Sequence, residues 1–304
     1  MNITKHHSLT WIDVENPSKE DILYLKNTFH FHPLLLEEFT SPSQRPRAEE
    51  FGNCLYVVMH IPLFDRTRRI TTPGELDIVI TKDHLITIHQ GENVPLKDVA
   101  RKFQLDYDLK NKSMSRSSGY LLYIILEQLL SSCFPKIDHI SERLETIERE
   151  IFDEHEKEMV KEISIVKRDI LAFRRTLKPQ RTILESLIQK NYHLLEPELN
   201  DYFQDLVGTN IRVWNALENV KEVIESLEET NNSLVSYKIN EAMRFLTSVS
   251  LVTFTLSVTT GIFGMTPFES FSLAHDPNMF WLIILFMGFI SLMLLFLFKY
   301  KRWL

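Results

Sequence analysis

A line of small and polar side chains near the C-terminal end of the chain is the first feature that could do chemistry. Its members recur at alternating spacings of three and four residues, so they share one face of a helix: Asn240, Met243, Thr247, Ser250, Phe254, Ser257 and Gly261. In a membrane-spanning helix, such a stripe is either a tight packing seam or the wall of a water-filled pore. Two helices cannot enclose a pore, so the pore interpretation requires several chains around an axis.

Two uncharged stretches are long enough to cross a bilayer, and the first of them carries this stripe. Residues 245–268 form a run of 24 residues without a charge, and residues 277–298 form a run of 22. A membrane-spanning helix needs about 20 predominantly apolar residues. The first stretch is rich in Ser and Thr, whereas the second is apolar on all sides and suits a lipid-facing helix. We therefore predict a protein that crosses the lipid bilayer twice.

The distribution of charges around these stretches predicts their orientation. The connecting segment 269–276 contains no Lys or Arg and two acids, Glu269 and Asp276. Three bases follow the second stretch: Lys299, Lys301 and Arg302. Because basic residues accumulate on the cytoplasmic side, we expect both termini in the cytoplasm of a cell whose inner membrane holds the protein. The two acids either concentrate cations at an outer entrance or simply form a solvated loop.

The remaining chain is an acidic, highly charged body. The chain has 304 residues and a formal net charge of −7, but residues 241–304 hold only four bases and three acids. This balance excludes a basic nucleic-acid-binding domain and a disordered chain. Cys54 and Cys133 lie far apart and form no CxxC pattern, so we expect reduced thiols rather than a disulfide framework.

Coarse patterning divides the body into a mixed part and a helical part. Residues 8–95 alternate strand and helix signals; the candidate strands are Leu9–Val14, Cys54–His60, Asp77–Thr81 and Leu85–His89. Pro17 and the acids after it open a helix, the prolines of 41–47 predict a loop, and 73–92 is interpreted as a hairpin turning near Lys82. From about Tyr120 the chain is helical, since Gly208 is the only glycine before Thr260.

One helix is predicted to be exceptionally long. Pro197 can occupy the first turn of a helix, and no proline follows until Pro267. An unbroken helix from Pro197 to Gly264 would contain 68 residues and extend for about 100 Å. It would run from the body into the first apolar stretch, and it must pack against neighbours to be stable.

Several short patterns, taken in order, point to one family. They are Trp11-Ile-Asp-Val, His32-Pro-Leu, Gln44-Arg-Pro-Arg, Tyr120-Leu-Leu-Tyr, Lys167-Arg168, Tyr202-Phe-Gln-Asp205, Asn240-Glu-Ala-Met243 and Gly261-Ile-Phe-Gly-Met265, followed by a second span and a basic terminus. No single pattern is decisive, but their order and spacing resemble the CorA family of divalent-cation transporters over nearly the whole chain.

The resemblance implies a fold and an assembly. It implies a funnel-shaped homopentamer in which each chain supplies an α+β cytoplasmic domain of αβα architecture, a long stalk helix continuous with the first membrane helix, and an outer second membrane helix. The implied limits are 1–119 for the αβ domain, 120–196 for a helical region packing on the stalk, 197–244 for the stalk, 245–268 for the pore-lining helix, 269–276 for the outer loop, 277–298 for the second membrane helix and 299–304 for a basic terminus.

The resemblance also implies roles for particular residues. The matching pore-lining positions are Asn240, Met243, Leu246 or Thr247, Ser250, Phe254, Ser257 and Gly261. Asp205 matches an acidic position that binds regulatory cytoplasmic Mg²⁺ between subunits. Lys299, Lys301 and Arg302 resemble a basic collar around the cytoplasmic pore mouth. The implied function is a channel or transporter for Mg²⁺ or for Co²⁺, Ni²⁺ or Zn²⁺, gated by cytoplasmic divalent ions.

One departure from the family pattern concerns the outer ion site. The family's Gly-Met-Asn is here Gly264-Met265-Thr266. Mg²⁺ gives up its waters reluctantly, and a ring of amide oxygens can hydrogen-bond those waters without replacing them. The shorter Thr hydroxyl predicts a looser site, or one that uses backbone carbonyls. Zinc-transporting relatives of the ZntB type also vary this motif, and a non-conducting scaffold or sensor is the alternative function.

Other chemistry finds little support in the sequence. His30, His32, His60 and Cys54 could be interpreted as a zinc site, but their spacing matches no zinc finger. There is no Gly-rich phosphate loop and no nucleophile elbow. We therefore expect no enzyme and no cofactor, only a divalent cation as transported ion and possible regulator. The expected partners are further copies of the same chain and the bilayer.

Overall fold

A computed structural model describes residues 1–41, 45–65, 70–91, 93–153, 155–264 and 279–301. The chain divides into two compact units, Met1–Glu228 and Glu229–Leu304. The first unit contains a six-stranded sheet with helices on both faces, and the described part of the second unit is helical.

The sheet of the first unit is mostly antiparallel. Its strands are β1 (Asn2–His6), β2 (Leu9–Glu15), β3 (Arg47–Phe51), β4 (Cys54–Asp65), β5 (Ile70–Ile80) and β6 (His84–His89). Their spatial order is β1-β2-β6-β5-β4-β3, and among the described strands only β2 and β6 pair in parallel. β4 and β5 form a long antiparallel ladder, from Leu55 opposite Ile80 to Asp65 opposite Ile70, and the hairpin predicted near Lys82 is the antiparallel pair β5–β6.

Alternation along β4 sends successive side chains to opposite faces of the sheet. Cys54, Tyr56 and Val58 join a core cluster with residues of α1 (Lys19–Phe29) and α2 (Pro33–Glu38). The opposite face is covered by α7 (Glu156–Leu177), which packs on β4 and β5. The first unit is therefore an αβα sandwich.

Further helices complete the first unit. They are α3 (Val94–Leu105), α4 (Tyr107–Met114), α5 (Ser118–Ser131), α6 (Phe134–Phe152) and α8 (Gln180–Gln189). A 3₁₀ turn at Pro197–Leu199 leads directly into α9 (Asn200–Phe263). At 1.5 Å per residue, the 64 residues of α9 extend for about 96 Å.

Among the described residues, two helices are long and apolar enough to cross a bilayer: α9 with the turn before it, and α10 (Met279–Tyr300). Only 6% of the apolar window of each is buried. A core helix of a soluble protein would be mostly covered, so this exposure fits a helix that faces lipid or another copy.

The predicted elements correspond closely to the observed ones in several places. Ser18 caps α1 in a reciprocal capping box: its hydroxyl accepts from Asp21 N at 3.1 Å while Asp21 accepts from Ser18 N at 2.9 Å. The predicted loop at 41–47 needs one correction, since Arg47 already belongs to β3. Residues 42–44 lie outside the described part of the chain.

Candidate ion pathway and regulatory site

The small and polar stripe occupies one exposed face of α9 in a single chain. Met243 is 57% exposed, Leu246 60% and Phe254 66%. The remaining members are exposed as well: Asn240, Thr247, Ser250, Ser257 and Gly261. A stripe that is exposed in one chain can face either a pore axis or a neighbouring copy. Exposure alone therefore does not distinguish a pore wall from a packing seam.

The hydroxyl groups of this helix fall into two sets: some hydrogen-bond to a carbonyl of their own helix, and others do not. Both sets include exposed residues. Thr247, which lies on the stripe, and Ser248 hydrogen-bond backward to carbonyls of their own helix at 2.7 and 2.8 Å. Thr253 and Thr260 do the same, to Val249 at 3.0 Å and to Leu256 at 2.8 Å. Ser250 and Ser257 have no such bond within the described residues. Both serines lie on the stripe. Their hydroxyls are therefore free to meet water or a hydrated ion.

The ends of the apolar helices are only partly described. α9 ends at Phe263, and Gly264 closes the helix by donating its N–H to Thr260 O at 2.9 Å. Lys299 lies in the last turn of α10, and Lys301 follows it, exposed. The other predicted residues of these ends lie outside the described residues: Met265, Thr266, Glu269, Asp276 and Arg302.

Asp205 lies on an exposed face of α9, one turn after an aromatic cluster. Tyr202 packs against Tyr120 and Tyr123, with ring centroids 5.4 and 5.0 Å apart. Its hydroxyl accepts a hydrogen bond from Arg116 at 3.2 Å. Burial raises the pKa of Tyr123, and the nearby Asp205 carboxylate raises that pKa further. The sequence pattern Tyr202 to Asp205 thus places one carboxylate beside a rigid aromatic platform.

The Asp205 carboxylate has no ion-pair partner in the described parts of the chain. Within those parts, no group of three His, Cys, Asp or Glu side chains converges into a metal site. A divalent ion held at Asp205 would therefore need ligands from water or from a second copy.

The zinc interpretation of the histidines does not hold within the described residues. His30, His32 and Cys54 line one groove of about 870 Å³, but His60 does not. His60 lies instead beside Glu75, at 4.0 Å. Burial raises the pKa of the Cys54 thiol to about 11, and the thiol donates to Phe51 O at 3.2 Å. A protonated, buried thiol is a poor zinc ligand.

A buried carboxyl cluster is the feature that the sequence patterns missed. Asp77 is only 5% exposed, and its Oδ1 accepts from Tyr56 OH at 2.8 Å. Glu38 and Glu75 line the same cavity of about 240 Å³. Burial, together with these two carboxylates, raises the pKa of Asp77 to about 7. The one available signal was a charged residue, Asp77, inside the otherwise apolar residues 76–80 of β5.

The fold and the apolar helices together define a class of protein. An αβα domain whose last helix continues into an apolar segment, followed by a second apolar helix, fits a membrane protein with one large domain outside the bilayer. A family profile described as "CorA-like Mg2+ transporter protein" matches residues 6–302. The chain belongs to the CorA-like Mg²⁺ transporter family.

Particular relatives agree with this assignment. The cobalt/magnesium transport protein CorA of Thermotoga maritima is 26% identical over 97% of this chain and 83% of its own. The structure of the complete CorA magnesium transporter of Methanocaldococcus jannaschii matches with a TM-score of 0.86 and 25% identity, over 99% of this chain and 93% of that one. The ZntB cytoplasmic domain of Vibrio parahaemolyticus matches in fold alone, with a TM-score of 0.62 and 13% identity over 75% of this chain and 88% of its own.

These findings confirm the predicted family and fold class. The chain is a CorA-type metal-ion transport protein of the membrane, and its family is not a class of enzymes. The roles of individual pore, collar and regulatory residues stay predictions.

Proposed function

We propose that the chain assembles into a homopentamer whose α9 helices surround a pathway for hydrated divalent cations. Mg²⁺ and Co²⁺ are the main proposed ions. The observation that carries the proposal is the pair Ser250 and Ser257, whose free hydroxyls lie on the one polar stripe of the apolar helix. Repeated around a five-fold axis, each serine would supply a ring of oxygens. Such rings can accept hydrogen bonds from the waters that Mg²⁺ keeps.

The apolar members of the stripe would act as the gate. Phe254 lies between the two serines, one turn from each, and Met243 and Leu246 lie toward the start of the apolar segment. A ring of five large apolar side chains can close a narrow pore by excluding water. Opening would then require the helices to separate or rotate enough to wet this ring.

Thr266 would set the outer ion site with Gly264 and Met265. A hydroxyl is one bond closer to the backbone than an amide oxygen and has a weaker dipole. A ring of threonines should therefore be wider than a ring of asparagines and hold a hydrated ion less tightly. The site should therefore have low affinity and discriminate poorly among Mg²⁺, Co²⁺, Ni²⁺ and Zn²⁺. Glu269 and Asp276 would raise the local cation concentration at this entrance.

Asp205 would sense divalent ions on the cytoplasmic side. Its exposed carboxylate lacks an ion-pair partner within the described residues, which supports a site completed by a neighbouring copy. A bound cation would then join two copies of the chain and favour the closed state of the pore. Loss of that cation would release the contact, because like-charged carboxylates facing each other without a cation repel.

Orientation follows from the bases at the end of α10. Lys299 and Lys301, with Arg302, would lie at the cytoplasmic mouth. The αβα unit would then be cytoplasmic, and the stalk would cover 197–244 before α9 enters the bilayer.

Flux measurements test the proposal. The purified chain is reconstituted into liposomes that contain a divalent-cation indicator, and Mg²⁺, Co²⁺, Ni²⁺ and Zn²⁺ are added in turn under a membrane potential. We expect protein-dependent influx of Mg²⁺ and Co²⁺ with modest selectivity. An absence of influx for all four ions, with intact oligomers, would contradict the proposal and favour the non-conducting scaffold.

A further inference from the structure

One face of α7 carries a continuous line of cations. With alternating spacings of four and three residues, the exposed positions on this face are Lys157, Lys161, Ser164, Arg168, Leu171, Arg175 and Lys178. The line contains five bases and no acid, and it extends for about 30 Å. It belongs to a chain whose formal net charge is −7. Exposed helix faces usually mix both signs of charge, so this uniform face is unusual.

The cations of this line are not neutralised within the described residues. None of the five has an ion-pair partner there. Bases that point sideways from the same helix are paired: Lys167 Nζ lies 2.5 Å from Glu228, and Arg174 pairs with Glu218 of α9. α7 therefore uses its lateral bases to attach α9 and leaves its outward bases free.

A cavity lies in the middle of this line. It has a volume of about 460 Å³ and is lined by Ser164, Lys167, Arg168, Leu171, Arg175 and Glu228. Arg168 and Arg175 are two helical turns apart, about 10 Å along the axis. Guanidinium groups bind phosphate oxygens in a two-point geometry. The Ser164 hydroxyl can add a hydrogen bond, and Leu171, 44% exposed, offers an apolar contact.

We propose that this cavity binds a phosphate-bearing small molecule of nucleotide size. Its volume falls in the range of small-molecule sites, but its lining is mostly polar and charged, with Leu171 and Ala172 as the apolar part. Two exposed guanidinium groups without an ion-pair partner in the described residues attract an anion, and their separation suits a chain of phosphates rather than a single carboxylate. The inference does not depend on the proposed ion pathway.

Calorimetry on the full-length protein in detergent tests the site, with EDTA present so that divalent ions do not bridge. The probes are ATP, inorganic tripolyphosphate, inorganic phosphate and adenosine. The variant Arg168→Gln/Arg175→Gln removes both guanidinium groups of the cavity. The matched control Lys157→Gln/Lys178→Gln removes two charges from the same face, outside the cavity lining.

We expect ATP to bind the unmodified protein and to lose about tenfold or more in affinity in the arginine variant, since that variant removes both guanidinium groups that would form charge-assisted hydrogen bonds with the phosphates. The control should change by about threefold or less, as expected for loss of distant surface charge. Tripolyphosphate should bind and adenosine should not. A stronger signal for ATP than for tripolyphosphate would add a role for Leu171.

Three outcomes would overturn the proposal. The first is that neither ATP nor tripolyphosphate binds, or that both double variants lose the same affinity for ATP, since an equal loss would indicate only diffuse electrostatic attraction. The second is adenosine binding as tightly as ATP. The third is a smaller oligomer for the arginine variant in size-exclusion chromatography with light scattering, which would identify the face as a contact between copies. Unchanged melting temperatures of both variants serve as the folding control.

Discussion

Replacing Asp77 by Asn should make the first unit more stable at alkaline pH without changing it at acid pH. Asp77 is almost fully buried and faces Glu38 from α2, Glu75 from its own strand, and Tyr56 from β4. Arg47 opposes these carboxylates, since it lies 2.8 Å from Glu38. Burial is the largest cause of a pKa near 7 for Asp77, against an ordinary value of 3.8.

The size and sign of the effect follow from proton linkage. The folded state holds the Asp77 proton more tightly than the unfolded chain does, so the unfolding free energy falls as pH rises from about 4 to about 7. A difference of about three pKa units corresponds to about 4 kcal/mol. Asn resembles the protonated carboxyl in shape and still accepts from the Tyr56 hydroxyl. The Asp77→Asn protein should therefore escape this loss.

Thermal unfolding of the full chain in detergent, followed by tryptophan fluorescence between pH 4.5 and pH 8.5, measures the effect. At about 2–4 °C per kcal/mol for a unit of this size, the variant should melt up to about 8–16 °C above the unmodified protein at pH 8. The two should converge at the acid end. As a control, Asp98→Asn changes an exposed carboxylate that pairs with Arg101 at 2.7 Å. Parallel pH profiles of the Asp77→Asn and unmodified proteins would refute the reasoning.

Three further changes test other parts of the structure. In flux assays, Thr266→Asn should raise the affinity for Mg²⁺ and should strengthen inhibition by a hexammine analogue of hydrated Mg²⁺. Equal affinity in both proteins would show that Thr266 does not weaken the site. Asp205→Ala should reduce the inhibition of flux by Mg²⁺ on the cytoplasmic side. The control Asp201→Ala, at an exposed position one turn earlier, should leave that inhibition unchanged. An unchanged inhibition curve for Asp205→Ala would count against regulation at Asp205. Phe173→Ala empties a fully buried position of α7 and should lower the unfolding free energy by about 3–5 kcal/mol, while Phe152→Ala, 64% exposed, should cost far less in the same denaturation experiment; similar losses would contradict the packing.

Sequence patterns predicted the central strands and the long helix, and they missed the edges of the sheet. β2, β4, β5 and β6 contain apolar and β-branched runs because both faces of the sheet are covered. β1 and β3 are the outermost strands. Their sequences, NITKH and RAEEF, are short and largely polar. Edge strands expose one side to solvent and carry charges, so their composition does not separate them from loops.

The candidate site was predictable only where it lies on one helix. Spacing alone placed the stripe of α9 on one face, because a helix fixes the direction of each side chain. The same spacing could not show which hydroxyls bond back to the helix, as Thr253 does, and which stay free, as Ser250 does. The cluster around Asp77 draws on three elements distant in sequence. Its proximity depends on sheet register and on the packing of α2, which no local pattern encodes.

Cysteine accessibility tests the central claim, that the stripe of α9 faces the cation pathway, most directly. The native thiols, Cys54 and Cys133, are both buried, so single cysteines can be placed at Ser250 and Ser257, with matched controls at Thr253 and Thr260. Both pairs are seven residues apart and exposed in a single chain. A charged, membrane-impermeant thiol reagent should block Mg²⁺ flux in liposomes for the two serine positions and leave the two threonine positions conducting. Equal block at all four positions, or block only at the threonine positions, would contradict the account.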